Sequence, residues 1–214
     1  MDILVPCKGL STGKSRLREC LDMHERRDLC ERLLVSTLRA AARLVGSKRV
    51  HAVTSDAEAG AIAHRLGIRR IADPGFGLNE ALDFARSALL SEGRADMLML
   101  PIDLPYVDAQ ALANIAACAG DVVIASDECG TGTNILLLRS QARHLPFAYG
   151  DRSFAAHLAA AHARGLSPQI VRDWRLSFDI DEPAQYFQWL EDADPVAGLA
   201  PDPGWQEARI RSVF

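Results

Sequence analysis

A chain of 214 residues, 49% of them hydrophobic and 24% charged, has enough apolar surface for one core and the composition of an ordinary globular domain. Its formal net charge of −4, with no basic cluster, excludes nucleic acid as the expected partner. No apolar run approaches the roughly 20 residues of a membrane span, and Met1-Asp2-Ile3 enters a strand-like segment without a basic signal-type start, so a cytoplasmic protein with no membrane partner is expected. The five cysteines are odd in number and form no Cys-x-x-Cys pair, which makes them reduced packing residues rather than disulfides or zinc ligands.

Ile3 to Pro6 is a short apolar run of the kind buried in a parallel sheet, and PCKGLSTGKSRL follows it as a glycine-containing loop. The loop invites comparison with a Walker A motif, which places a glycine five residues before its Gly-Lys pair. Counting back from Gly13 reaches Lys8, and the nearest glycine, Gly9, is one residue too close to build that ring of amides. Leu29, Leu33, Leu38, Ala41 and Val45 then recur at helical spacing and Gly46 stops the helix. A strand at Val50 to Thr54, a helix at Ala57 to Leu66 and a strand at Ile68 to Ala72 repeat the alternation.

A helix over Asn79 to Leu90 precedes Met97 to Ile102, a run apolar enough to be buried on both faces and ended by Asp103-Leu104-Pro105. After a helix at Asp108 to Cys118, two strands, Val122 to Ala125 and Asn134 to Leu138, follow without a helix between them. The sheet is therefore expected to be mostly parallel with one or more antiparallel members. Ser153 to Ala163 reads as a helix, a last strand is expected to approach Asp179-Ile180-Asp181, and Pro183 opens a helix from Ala184 to Leu190. Trp174, Trp189 and Trp205 are read as packing residues. One domain over residues 1–191 is expected, with residues 192–214, rich in proline and glycine near DPVAGLAPDPG, as a tail of undefined structure.

Ligands of open α/β sheets bind beyond the carboxyl ends of the strands, and here those ends are rich in acids, bases and glycines. Asp103 either caps the next turn or belongs to a site. Strand alternation would put Asp179 and Asp181 on one face, where two carboxylates repel unless a cation lies between them; Mg²⁺ satisfies that arrangement, and so does a solvated strand end. GTGTN, residues 130–134, is either a hairpin turn or a cradle for an oxyanion, and Ser153 is either a helix cap or part of an anion site at the helix start. Lys14 and Arg16 sit between a strand and a helix, a place for phosphate ligands and for solvated bases. The six histidines show no metal spacing and receive no role.

Taken in order, PCKGLSTGKSRL, DPGFGLNEAL, LPIDLP, GTGTN, YGDRSF and FDID resemble the phospholactate guanylyltransferases of coenzyme F420 biosynthesis, including relatives that take phosphoenolpyruvate or 3-phosphoglycerate. The resemblance runs from about Leu4 to Phe187, with Gly13 where such proteins commonly carry alanine. It implies a Rossmann-like, GT-A-like nucleotidyltransferase α/β fold and transfer of GMP from GTP to a small phosphorylated three-carbon acid, with pyrophosphate released and Mg²⁺ as cofactor. On the matching positions, Asp103, Asp179 and Asp181 would hold the metal. Pro6, Lys8, Gly9, Lys14, Ser15, Arg16 and Asn79 would hold GTP, and Thr133, Gly150 and Ser153 the phospho-acid; Lys14, Arg16 and Asp103 would be catalytic. A homodimer is the assembly to test. The alternatives are another nucleotidyltransferase of this fold, of nucleotide-sugar or molybdenum-cofactor type, and a nucleotide-binding module without chemistry.

Overall fold

The apolar run at the N-terminus forms strand β1 (Asp2–Pro6) in the computed structural model, which describes residues 1–192. In chain order follow α1 (Met23–Val45), β2 (Val50–Val53), α2 (Ala57–Arg65), β3 (Arg69–Ile71), α3 (Leu78–Ser91), β4 (Met97–Met99) and α4 (Ala109–Ala117). Then come β5 (Val122–Ser126), β6 (Thr133–Leu138), α5 (Ser153–His162), β7 (Gln169–Ile170), α6 (Trp174–Ser177) and α7 (Pro183–Asp192). The strands make one sheet in the order β3-β2-β1-β4-β6-β5-β7. β6 runs antiparallel to both its neighbours, β4 and β5, and the other pairs are parallel, as the adjacent strand-like runs without an intervening helix predict.

Burial of the strands on both faces follows from their period of two. In β1, Ile3 and Val5 pack among α1, α2 and α4, while Leu4 packs among α3 and α5 on the other face. The same split recurs in β5, with Val123 and Ala125 on one side and Val122 and Ile124 on the other, and in β6. A third cluster lies outside the sheet: Leu17 and Leu21 after the first loop meet Leu29 and Leu33 of α1, Phe178, Ile180, and Tyr186 and Trp189 of α7. This cluster brings the first loop and the segment around residue 180 together, although they are far apart in sequence.

Two expectations need correction. Asp179-Ile180-Asp181 is not in a strand: the last strand is the two-residue β7 at Gln169–Ile170, and α6 intervenes. Asp173 accepts a hydrogen bond from the Arg175 amide at 3.0 Å and starts a helical turn that takes the chain out of the sheet. Ile180 is then tied to the loop after β4 by its N–H, which donates to the Asp103 carbonyl at 3.0 Å. Trp189 is buried as expected, but Trp174 is 64% exposed, its ring lying 4.9 Å from that of Tyr106. Trp205 and the expected tail beyond Asp192 lie outside the described residues.

Candidate active site

The strand order turns back between β1 and β4, which places a crevice beyond their carboxyl ends. The first loop leaves β1 on one side of this crevice. Its shape is set by Gly9, where an added Cβ would meet Thr12 Oγ1 at 2.7 Å, and by Asp56, whose Oδ2 accepts the Leu10 N–H at 3.1 Å. Asp56 also caps α2 through Oδ1, so one carboxylate fixes a helix start and the loop beside it. At Gly13 a Cβ would lie 2.8 Å from the buried Cys30 Sγ, so the space that an alanine methyl would fill is taken by a thiol of α1.

Lys14 follows in the left-handed region at φ 50°, and this conformation turns its side chain inward. Its ammonium, only 7% exposed, lies 3.0 Å from Asp103 Oδ2 and 2.9 Å from Asp181 Oδ1. Burial opposes the charge, but Asp103 and Asp181 outweigh it and hold the amine charged well above its ordinary range. Asp179 lies in the same acidic group. Burial, then the charges of Asp103 and Asp181, raise its carboxyl to about 6, against the opposing pull of Lys14 and a hydrogen bond from Asn134. Two carboxylates thus share one buried ammonium, with a third, Asp179, beside them. Arg16 stays at the rim, 68% exposed, with a nitrogen 3.8 Å from Asp181.

A cavity of about 240 Å³ opens beside this group, and Pro6, Asp103, Thr133, Ser153, Asp179 and Asp181 line it among others. Its far wall depends on the β5–β6 connection. GTGTN is a hairpin loop and a cavity wall at once. Asp127 organises it by accepting from the amides of Thr131 and Gly132, both at 2.8 Å, and from the Thr131 hydroxyl at 3.0 Å. The pairing register shifts there: Ser126 faces Thr133 while Ala125 faces Ile135, which leaves Asn134 as a bulge. A bulge reverses which face the next residue takes. Asn134 therefore reaches α6, its Nδ2 donating to the carbonyls of Leu176 and Ser177 at 3.0 and 3.1 Å, while Thr133 turns to α5.

The start of α5 completes the wall. Arg152, at φ 53°, is the cap residue, and Ser153 is the first helical residue, its hydroxyl accepting the Thr133 N–H at 2.9 Å instead of capping the helix. Asn79 spans from the start of α3 to the loop before α5: its Nδ2 donates to the Tyr149 carbonyl at 3.0 Å and its Oδ1 accepts the Tyr149 N–H at 2.8 Å. Both ends of its amide thus hold the backbone beside Gly150. Lys8, Ser15 and Gly150 are exposed around the site, and Gly9 is buried under the first loop.

The structure gathers Pro6, Asp103, Thr133, Ser153, Asp179 and Asp181 around one cavity, with Lys14 bonded to two of those aspartates without lining it, and leaves Lys8, Gly9, Ser15, Arg16, Asn79 and Gly150 outside its lining. Asp127 was not singled out in the sequence, and His157 was given no role there. His157 carries a signal in retrospect, since it stands one helical turn after Ser153 and shares its face.

The sequence matches the family model described as guanylyl transferase CofC like over residues 1–190. It is 38% identical over 186 residues to a phosphoenolpyruvate guanylyltransferase of Rubrobacter xylanophilus, covering 84% of this chain and 88% of that one. It is 33% identical over 181 residues to a 2-phospho-L-lactate guanylyltransferase of Methanothermobacter thermautotrophicus, covering 83% and 78% of the two chains. Among solved structures, a Desulfovibrio desulfuricans G20 protein classed with the nucleotide-diphospho-sugar transferases superposes with a TM-score of 0.76 at 16% identity, over 100% of this chain and 96% of the other. That likeness concerns the fold.

Proposed function

The chain belongs to the CofC-like guanylyl transferase family, and on that premise we propose that its cavity joins GTP to a phosphorylated three-carbon acid in coenzyme F420 biosynthesis. One observation carries this reading: a single cavity is acidic on one wall, at Asp103, Asp179 and Asp181, and presents hydroxyls on the other, at Thr133 and Ser153. The first wall suits a cation that accompanies a nucleotide triphosphate; the second suits the oxygens of a small anion.

In the proposed reaction, a phosphate oxygen of the acid attacks the α-phosphorus of GTP. The new P–O bond forms as the α–β bridging P–O bond breaks, and pyrophosphate leaves with that electron pair. The acceptor phosphate is ionised at neutral pH, so no side-chain base is required, which accords with a site built of acids, lysine and hydroxyls. The protein's work is to hold two anions in line and to neutralise charge. Lys14, held between two of the cavity's aspartates, would neutralise phosphate charge, and Arg16, exposed at the rim, would assist the departing pyrophosphate.

Asp103, Asp179 and Asp181 supply the hard oxygen donors that Mg²⁺ takes; burial first, and then the charges of Asp103 and Asp181, raise the Asp179 carboxyl, and a cation among the three would offset the repulsion. Among the described residues no three acidic, histidine or cysteine side chains converge as they stand on one point, because Lys14 holds two of these aspartates. In this reading the three carboxylates would take the ion only when Lys14 releases Asp103 and Asp181. Bound there, Mg²⁺ would act as a Lewis acid on phosphoryl oxygens.

The test is pyrophosphate release from GTP with Mg²⁺ against phosphoenolpyruvate, 2-phospho-L-lactate and 3-phosphoglycerate in parallel, with ATP and CTP as controls. Release with GTP and one of these acids supports the reading, and release with none overturns it. The cytoplasmic location and the homodimer belong to the same proposal; light scattering on the eluted protein checks the dimer, and a monomer mass removes it.

A further inference from the structure

His157 is fully buried in α5, and its two ring nitrogens have different partners. The Ala148 backbone N–H lies 3.0 Å from Nε2. A backbone amide only donates, so Nε2 accepts and carries no hydrogen. The neutral ring must then hold its proton on Nδ1, which faces Thr133 Oγ1 at 2.9 Å. Thr133 accepts this hydrogen bond, and its own hydroxyl hydrogen remains available on the cavity side. Ser153 is arranged alike: its oxygen accepts the Thr133 N–H, leaving its hydrogen unspent by that bond. Burial pushes the imidazole down to about 4, so the ring is neutral at physiological pH and this tautomer is maintained. The Tyr149 ring packs edge-on against it at 5.0 Å.

We propose that His157 is a positioning residue that fixes the polarity of the Thr133 hydroxyl, so that the hydroxyl donates to an anionic oxygen of the phospho-acid. The opposite tautomer would have Thr133 donate to Nδ1 and present lone pairs to an anion, which repels it. The inference rests on the reading that Thr133 contacts the phospho-acid.

Two substitutions separate the ring's two roles. His157→Asn keeps an amide donor near the δ position and loses the ε acceptor; His157→Gln keeps an acceptor near the ε position and loses the δ donor. With the acid that releases most pyrophosphate in the wild type, Thr133→Val and His157→Gln should each raise the KM for that acid about tenfold or more, the size of one hydrogen bond to a charged group. His157→Asn should stay within about threefold. The KM for GTP should not move in any of them, and the double variant Thr133→Val/His157→Gln should be no worse than Thr133→Val alone. A wild-type acid KM in His157→Gln, or losses that multiply in the double variant, overturns the role of His157. A wild-type acid KM in Thr133→Val instead overturns the substrate reading beneath it. Independently of any variant, long-range ¹⁵N–¹H correlation of the imidazole should show the Nδ1–H tautomer, and an Nε2–H tautomer overturns the inference.

Discussion

The two ends of the sheet each carry a cluster of ionised groups, and the clusters differ in their charge balance. At the amino end Asp2, 1% exposed, is held by Arg49 at 3.1 Å, by His51 at 2.8 Å and by Arg94. Burial would raise its carboxyl, yet hydrogen bonds from His51, Arg94 and Arg49 overcome this and keep it below the ordinary range. At the carboxyl end Asp103 and Asp181 share one buried ammonium, Asp179 lies beside them, and a cavity adjoins the three. In the first cluster Asp2 meets Arg49 and Arg94, and Arg94 also pairs with Glu92, so the charges balance. The second is acidic in excess and open to a ligand. A balanced ion cluster holds strands together; an unbalanced one beside a cavity can take up a cation, and this distinction separates structure from site more reliably than burial does.

The sharpest way to break this comparison is Asp103→Asn. Turnover should fall by about 10²-fold or more, the scale of losing one preorganised electrostatic group, while thermal melting changes by only a few degrees. Rates like the wild type's would show that the acidic excess has no catalytic use. Lys14→Met comes next. It should lower kcat/KM for GTP by about 10²-fold and lower the melting temperature without metal, since Asp103 and Asp181 lose their cation. Mg²⁺ should then raise the melting temperature of the variant more than that of the wild type, because Lys14 no longer competes; an equal or smaller rise argues against a shared cation position.

Asp2→Asn tests the other end. Removing one partner of a buried ion cluster should cost about 3 kcal/mol of stability in urea unfolding, with kcat/KM unchanged; loss of activity without loss of stability would erase the contrast. On the pH axis, burial lowers the His51 imidazole, and Asp2 is lowered as well. Both groups favour their deprotonated forms in the fold. Their stabilisation is complete above the unfolded histidine pKa, near 6.5, and is lost as pH falls, first through His51 and then through Asp2. Melting temperature should therefore decline from about pH 6.5 downward; in Asp2→Asn the last part of the decline, below about pH 4, should be reduced, and a flat wild-type profile would contradict the shifts. Arg16→Ala is the mildest change: an exposed pair contributes about 0.5 kcal/mol or less, so stability should hold and only the KM for GTP should rise a few-fold.

Much of the fold was legible because its signals are local. The alternation of strands and helices follows from period and breakers, and the antiparallel member from two apolar runs with no helix between them. The misplaced last strand shows the limit: FDID alternates like a strand, but Asp173 caps a helical turn upstream and Ile180 bonds to a loop instead of a sheet neighbour. The site divides in the same way. Asp179 and Asp181 stood out by their spacing, although they do not lie in a strand, and Asp103 by following the buried run that begins at Met97. His157 did not, since a histidine in an alanine-rich helix carries no sign of what its two nitrogens meet. Asn79 was read toward GTP, and the structure shows its amide engaged with Tyr149.

By itself, the sequence determined the order of elements, the polar strand ends and the one-residue shortfall that separates the first loop from a Walker A motif, because each depends on spacing within a few residues. Only the tertiary structure decided that Lys14 serves carboxylates 89 and 167 residues away, and that a bulge at Asn134 turns Thr133 toward His157. Such contacts join segments from different layers, and their geometry is set by how strands register and helices pack, which the spacing of residues along the chain does not encode.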